Sequence, residues 1–178
     1  MAVWFLLGRD GRWNGHSVWP DPDRVVLGRN IMTALAFMGP ATQAAFLMTP
    51  FGLPVYYQKK IVRADLERNE NSMFIFGDNT IRQGMGGQAA EMRFAPNAFG
   101  IATLWAPGVY FHESQYASAT KAIMQDIEWV SDNLHDFSMI VFPADGIGTG
   151  FAHLLDNAPS IKSFLDVALE QRFGIINA

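Results

Sequence analysis

Two glycine-rich stretches carry the residue types from which a ligand site could be built. The first runs Phe76-Gly77-Asp78-Asn79 and continues through Gly84-Met85-Gly86-Gly87-Gln88-Ala89. The second is Pro143-Ala144-Asp145-Gly146-Ile147-Gly148-Thr149-Gly150. Glycine lets backbone approach a ligand closely, and its N–H groups, with a helix N-terminus behind them, suit an anion. Asp78 and Asn79 lie where an apolar run breaks, so a carboxylate and an amide there can reach a sugar or a base. One such motif is weak evidence, because a tight turn uses glycine for φ > 0 alone. Two of them after two apolar runs are harder to explain as bare turns. Together they point to a cleft for a phosphorylated small molecule.

These loops need elements to hold them. Met73–Phe76 has the length and content of a buried strand, and Gln88–Arg93 is a run of good helix formers. Val55–Val62 reads as a strand followed by a helical Arg63–Arg68, and Phe99–Trp105 as a further strand. Ser114 is placed to cap a helix to about Leu134, since Ile123, Ile127, Val130 and Leu134 recur at helical spacing. Ser138–Phe142 is a short buried strand. Pro159 and Ser160 open a last helix with Ile161, Phe164, Leu165, Ala168 and Leu169 on one face and Gly174 as its stop. Strands alternating with helices predict a three-layer α/β/α domain on a parallel or mixed sheet. Both glycine loops would then emerge at the carboxyl edge, where such folds bind ligands.

Residues 1–54 read as an extension and residues 55–178 as the α/β domain. Val3–Leu7 and Trp13–Trp19 suggest a hairpin. Ile31–Met48 is apolar, but Gly39 and Pro40 break it and Thr33, Thr42 and Gln43 dilute it. It reads as a helix pair or partner-facing arm, able to make a homo-oligomer, rather than as a membrane span. The start lacks the positive region of a signal peptide, so the cytoplasm is the expected compartment.

With 49% hydrophobic residues, 14 Phe and 5 Trp, the chain can build a substantial core. A net charge of −4 provides no basic field for nucleic acid. The absence of cysteine excludes disulfides, thiolate zinc sites and cysteine nucleophiles. Histidines at 16, 112, 135 and 153 lack metal-ligand spacing, so neither metal nor cofactor is expected.

The two glycine stretches, with Arg63-Ala64-Asp65-Leu66 and Pro96-Asn97-Ala98-Phe99-Gly100-Ile101, resemble a family of small uncharacterised phage and bacterial proteins. That family in turn resembles macrodomains, the ADP-ribose-binding α/β fold. The resemblance covers roughly residues 55–172. It implies a macrodomain-like mixed sheet in which Asp65 would bind the adenine amino group. Gly77, Asp78 and Asn79 would lie near the distal ribose, with Gly84, Gly86, Gly87 and Gln88 bringing backbone beside it. Gly146, Ile147, Gly148, Thr149 and Gly150 would wrap the diphosphate, and Phe151 would lie against a ribose or base. Plainer roles exist for the same residues: Asp65 as a helix cap, Asn79 as a turn former, Phe151 as core.

The related enzymes remove ADP-ribose with a lysine and an aspartate. Here Ala152 stands about where the carboxylate would be wanted, and Arg93 is the nearest cation after the first loop. Asp78 is then the best general base for activating water at the ribose C1″, Asp145 the next, and His153 a substitute acid/base. His112-Glu113 could reach the cleft rim. The expectation is a protein that binds ADP-ribose or a related NAD-derived nucleotide, with hydrolysis of an ADP-ribosyl linkage as the reaction such a cleft would support. A non-catalytic binder of a nucleotide signal is one alternative. An assembly protein acting through the N-terminal arm is another.

Overall fold

Alternating side chains along the strands decide the layers. In the computed structural model, which describes residues 47–48 and 52–177, Met73 and Ile75 pack into one apolar cluster and Phe74 and Phe76 into another. A strand buried on both faces has no polar side, which is why its text is continuously apolar. The same division runs through Ile140 and Phe142 against Val141, and Val55 and Tyr57 against Tyr56.

The strands are β1 (Leu47–Met48), β2 (Pro54–Gln58), β3 (Ser72–Asn79), β4 (Ala98–Ala106), β5 (Val109–Tyr110) and β6 (Met139–Pro143). The helices are α1 (Arg63–Arg68), α2 (Ala89–Met92), α3 (Tyr116–Asp132), α4 (Leu154–Asn157) and α5 (Pro159–Phe173). The sheet order is β1-β2-β6-β3-β4-β5. The four central strands are parallel, and the two short edge strands pair antiparallel to them. Helices cover both faces, so the α/β/α layering and mixed sheet expected from the sequence are present.

Connection handedness explains which helix lies where. From β2 through β3 to β4 the chain moves one way across the sheet, with Leu66 of α1 and Ala89 and Met92 of α2 in the smaller cluster. It then turns back, and β6 inserts between β2 and β3. A right-handed crossover in the reverse direction must place its helix on the opposite face. Ile123, Ile127 and Val130 of α3 accordingly join the larger cluster, with Ile161, Leu165, Leu169 and Phe173 of α5. Both helices bury an i, i+4 stripe.

Several boundaries differ from expectation. β2 ends at Gln58, four residues early, and α2 is a single turn. Ser114 does not cap α3: a 3-10 turn at Glu113–Gln115 precedes it, and the Gln115 side chain instead accepts from His112 N–H (3.2 Å) and Trp105 Nε1 (2.9 Å). Gly174 ends α5 in the left-handed conformation, φ 66°. The sequence-predicted hairpin at 3–19 and residues 31–46 of the apolar arm lie outside the described residues. Among the described residues no helix is long and apolar enough to cross a membrane.

Candidate ligand cleft

The strand order creates a crevice. β3 and β6 are neighbours, yet the chain leaving β3 goes to α2 on one face and the chain leaving β6 goes to α4 and α5 on the other. Loops that diverge from adjacent parallel strands leave a gap at the carboxyl edge, the usual ligand position in open α/β sheets. A cavity of about 820 Å³ opens there, walled by both glycine loops, the β4–β5 turn and Tyr110. Of the residues singled out from sequence, Gly77, Asp78, Asn79, Gly84, Gly86, Gly87, Gln88, Gly146 through Phe151 and His153 all line it.

Asp65 does not. Its Oδ2 accepts from Val62 N–H (3.0 Å) and Gln58 Nε2 (2.8 Å), capping the first turn of α1. The plainer of its two readings is the one the geometry carries. His112 and Glu113 are also outside the cavity wall, and Glu113 Oε1 instead accepts from Ser160 N–H at 2.7 Å.

The first loop is shaped by a buried ion pair. Asp78 is 6% exposed and receives both Arg93 terminal nitrogens, Nη1 on Oδ2 at 3.1 Å and Nη2 on Oδ1. Arg93 Nε donates to Gly84 O (2.8 Å) and Nη2 to Gln83 O (3.3 Å). A second guanidinium, Arg82, sits 3.6 Å from Asp78 Oδ2 and also pairs with Asp126 of α3. Asp126 Oδ2 in turn accepts the Ala102 N–H at 2.7 Å. Burial pushes the Asp126 carboxyl above the usual range, and Arg82 pulls it part of the way back. The carboxylate nominated from sequence as a base is therefore engaged by two arginines. That arrangement suits an anchor for the loop rather than a proton acceptor.

Asn79 is similarly committed. Its Nδ2 donates to Gln83 O (2.7 Å) and its Oδ1 accepts Gln83 N–H (3.2 Å), which closes residues 79–83 into a loop. The left-handed residue in that loop is Arg82, at φ 55°. β4 bulges opposite, where Asp78 pairs with Ala102 and Asn79 with Leu104, and the extra residue Thr103 donates through Oγ1 to Asp78 O at 3.1 Å. Gly100 is required here: a Cβ would stand 2.7 Å from Asp78 Cβ.

What remains available is backbone. Among the described residues the N–H groups of Gly84 through Gln88 find no backbone acceptor, and neither do those of Gly148 through Ala152. Two runs of amide donors therefore line one cavity, the feature that successive N–H groups can offer to an anion. Asp145 is exposed in the same cavity, and no group among the described residues engages its carboxylate. His153 lines the same cavity at φ 45°, its ring 6.2 Å from that of Tyr110 and its Nδ1 3.5 Å from Asp156 Oδ2. Among the described residues no group of three side chains is arranged to hold a metal.

Sequence reading undervalued Arg93 and missed Arg82, Asp126 and Tyr110. Each has a partner 15 to 44 positions away, which no local pattern reveals. Residues 56–168 match a family model described as a family of unknown function (DUF7831). No curated protein and no solved structure matches the chain.

Proposed function

The chain belongs to the DUF7831 family, and from its cleft we propose that it binds ADP-ribose or a closely related NAD-derived nucleotide. The observation that carries this is the pair of amide runs without a backbone acceptor, Gly84–Gln88 and Gly148–Ala152, lining one cavity. A diphosphate is the anion that can use both. The cavity volume falls in the ~300–1,000 Å³ range of small-molecule sites. Asp145 supplies an acceptor for ribose hydroxyls, and Phe151 and Tyr110 supply ring faces. The macrodomain resemblance of the loop text adds to this reading.

The same geometry favours binding over turnover. Asp78 is neutralised by Arg93, and Ala152 leaves no carboxylate at its position. If the cleft hydrolyses an ADP-ribosyl bond, Asp145 and His153 are the groups left to move protons. A cytoplasmic pool of free nucleotide, or an ADP-ribosyl group on a macromolecule, is the source we propose for the ligand.

Calorimetric titration with ADP-ribose, with AMP, NAD and pyrophosphate as comparisons, tests this. Saturable binding of ADP-ribose that exceeds AMP, and weakens in Asp145→Ala, is expected. No heat and no thermal stabilisation at millimolar ADP-ribose would overturn it. Product analysis after prolonged incubation separates the two modes: intact ADP-ribosyl linkages mark a binder, released ADP-ribose a hydrolase.

A further inference from the structure

We infer that Asn177, on the segment that follows α5, is the positioning residue of the second glycine loop. The inference deepens the proposed ligand site by naming what gives that loop its shape. Asn177 grips Ile147 on both sides of its residue: Oδ1 accepts the Ile147 N–H at 2.7 Å, and Nδ2 donates to the Ile147 carbonyl at 3.1 Å. A side-chain amide thereby does for one loop residue what a neighbouring strand would do.

The grip is itself anchored. Asn177 Nδ2 also donates to Asp166 Oδ1 at 2.7 Å, and both Asp166 oxygens accept from Lys162 Nζ at 2.8 and 2.9 Å. The Lys162 side chain is only 7% exposed, so this ion pair is screened from water on the lysine side. Upstream, Ile175 is fully buried and the Ile176 N–H donates to the Tyr57 hydroxyl at 2.8 Å. The segment therefore reaches the loop from an ordered, packed position, in a chain Lys162–Asp166–Asn177–Ile147 that joins α5 to the cleft.

The consequence for the site is directional. With its N–H taken by Asn177, Ile147 cannot contribute to the anion site, and the free amides begin at Gly148. Ile147 is also held against β3, where a Cβ on Gly77 would lie 3.4 Å from Ile147 Cβ. Without the grip, the Ile147 peptide planes can rotate, and the five amides after it lose their common orientation. Sequence gave no hint of this, because an asparagine beyond a helix stop reads as a surface residue.

The experiment uses the full chain with Asn177→Ala and Asn177→Asp. Asn177→Ala should bind ADP-ribose about tenfold more weakly, the scale of one or two lost hydrogen bonds. Its Ile147–Gly150 amides should exchange with solvent faster than wild type, with the α3 and α5 core amides unchanged. Asn177→Asp keeps the acceptor for Ile147 N–H but loses the donor and faces the Asp166 carboxylate. It should bind poorly at neutral pH and recover relative to wild type as pH falls and its carboxyl regains a proton to donate. Core amides of α3 and α5 that keep wild-type exchange in both variants separate this from a general loss of stability. ADP-ribose affinity within twofold of wild type in Asn177→Ala, or unchanged exchange at Ile147–Gly150, would overturn the inference. If wild type binds no ADP-ribose, the ligand reading fails, and the exchange measurement still decides whether Asn177 holds the loop.

Discussion

Phe151 rests on Gly87, so the two walls of the cleft touch. A Cβ at Gly87 would stand 3.3 Å from Phe151 Cδ2, and Gly87 itself sits at φ 56°. Phe151 is nevertheless 74% exposed, an unusual position for a large apolar ring unless something packs beside it. Gly87→Ala should destabilise by about 1–2 kcal/mol from the left-handed backbone alone. Any further loss should vanish in the Phe151→Ala background, where only backbone strain remains. Denaturant unfolding of the two single variants and the double variant gives that coupling directly.

Asp78 and Arg93 should behave as one unit. Removing Asp78 strands the buried Arg93 guanidinium without a carboxylate, at about 3–5 kcal/mol. Removing Arg93 leaves Asp78 with Arg82 alone, 3.6 Å away, and should cost less. The double variant Asp78→Ala with Arg93→Ala should lose much less than the sum of the singles. Arg93→Lys will not rescue, because one ammonium cannot reproduce the contacts to Asp78, Gly84 and Gln83 together. Chemical denaturation checks the cycle. Simple additivity would mean that the pair is not the organiser of the first loop.

The raised Asp126 carboxyl predicts a pH slope. A folded-state pKa above the unfolded value means that the native protein binds more protons between the two values. Stability linked to Asp126 therefore falls as pH rises through that window, which begins near the ordinary carboxylate range and extends upward. Asp126→Asn removes this slope while keeping an oxygen to accept Ala102 N–H. The stability difference, wild type minus variant, should shrink from pH 4 to pH 7. A difference that grows over that range would reverse the assignment.

His153 occupies a backbone region that L-residues avoid, although histidine tolerates it better than most. His153→Gly should be nearly neutral, with relief of strain offset by a more flexible unfolded chain. His153→Val should lie about 1–2 kcal/mol below His153→Gly, since a branched Cβ worsens the left-handed clash. Thermal melts of the two variants, compared with each other, provide the check. Equal stability would mean that the φ of this residue is not constrained by the loop.

The middle of the sheet was legible because β3 and β6 are buried along nearly their whole length. The two-residue edge strands were not read: β1, at the end of the stretch read as a helical arm, and β5. Met73–Phe76 and Ser138–Phe142 announce themselves as apolar runs, and α5 by its i, i+4 stripe and Gly174. The cleft was legible for a related reason: glycine-rich text after a buried strand has few uses. Side-chain roles were not. Asp78 and Asn79 look like ligand groups in the text, but Arg93 and Gln83 claim them, and the arginine is 15 residues from the aspartate it neutralises. Asn97 is another such case, its Nδ2 reaching the carbonyls of Leu66, Asn69 and Ser72. A polar side chain has several partners within reach in a fold, and only the fold chooses among them.

The placement of β6 has a consequence for how the protein is made. β2 and β3 do not pair with each other, and β6 is what joins them. A growing chain that has not reached Met139 therefore holds two unconnected sheet fragments, each with an open parallel edge that invites wrong partners. Those pairings link residues far apart in sequence, so assembly should be slow and late. The cleft lies between β3 and β6, and it comes into being only with that final insertion. A nascent or truncated chain would have nowhere to hold a nucleotide, and ligand present at synthesis would favour only the finished product.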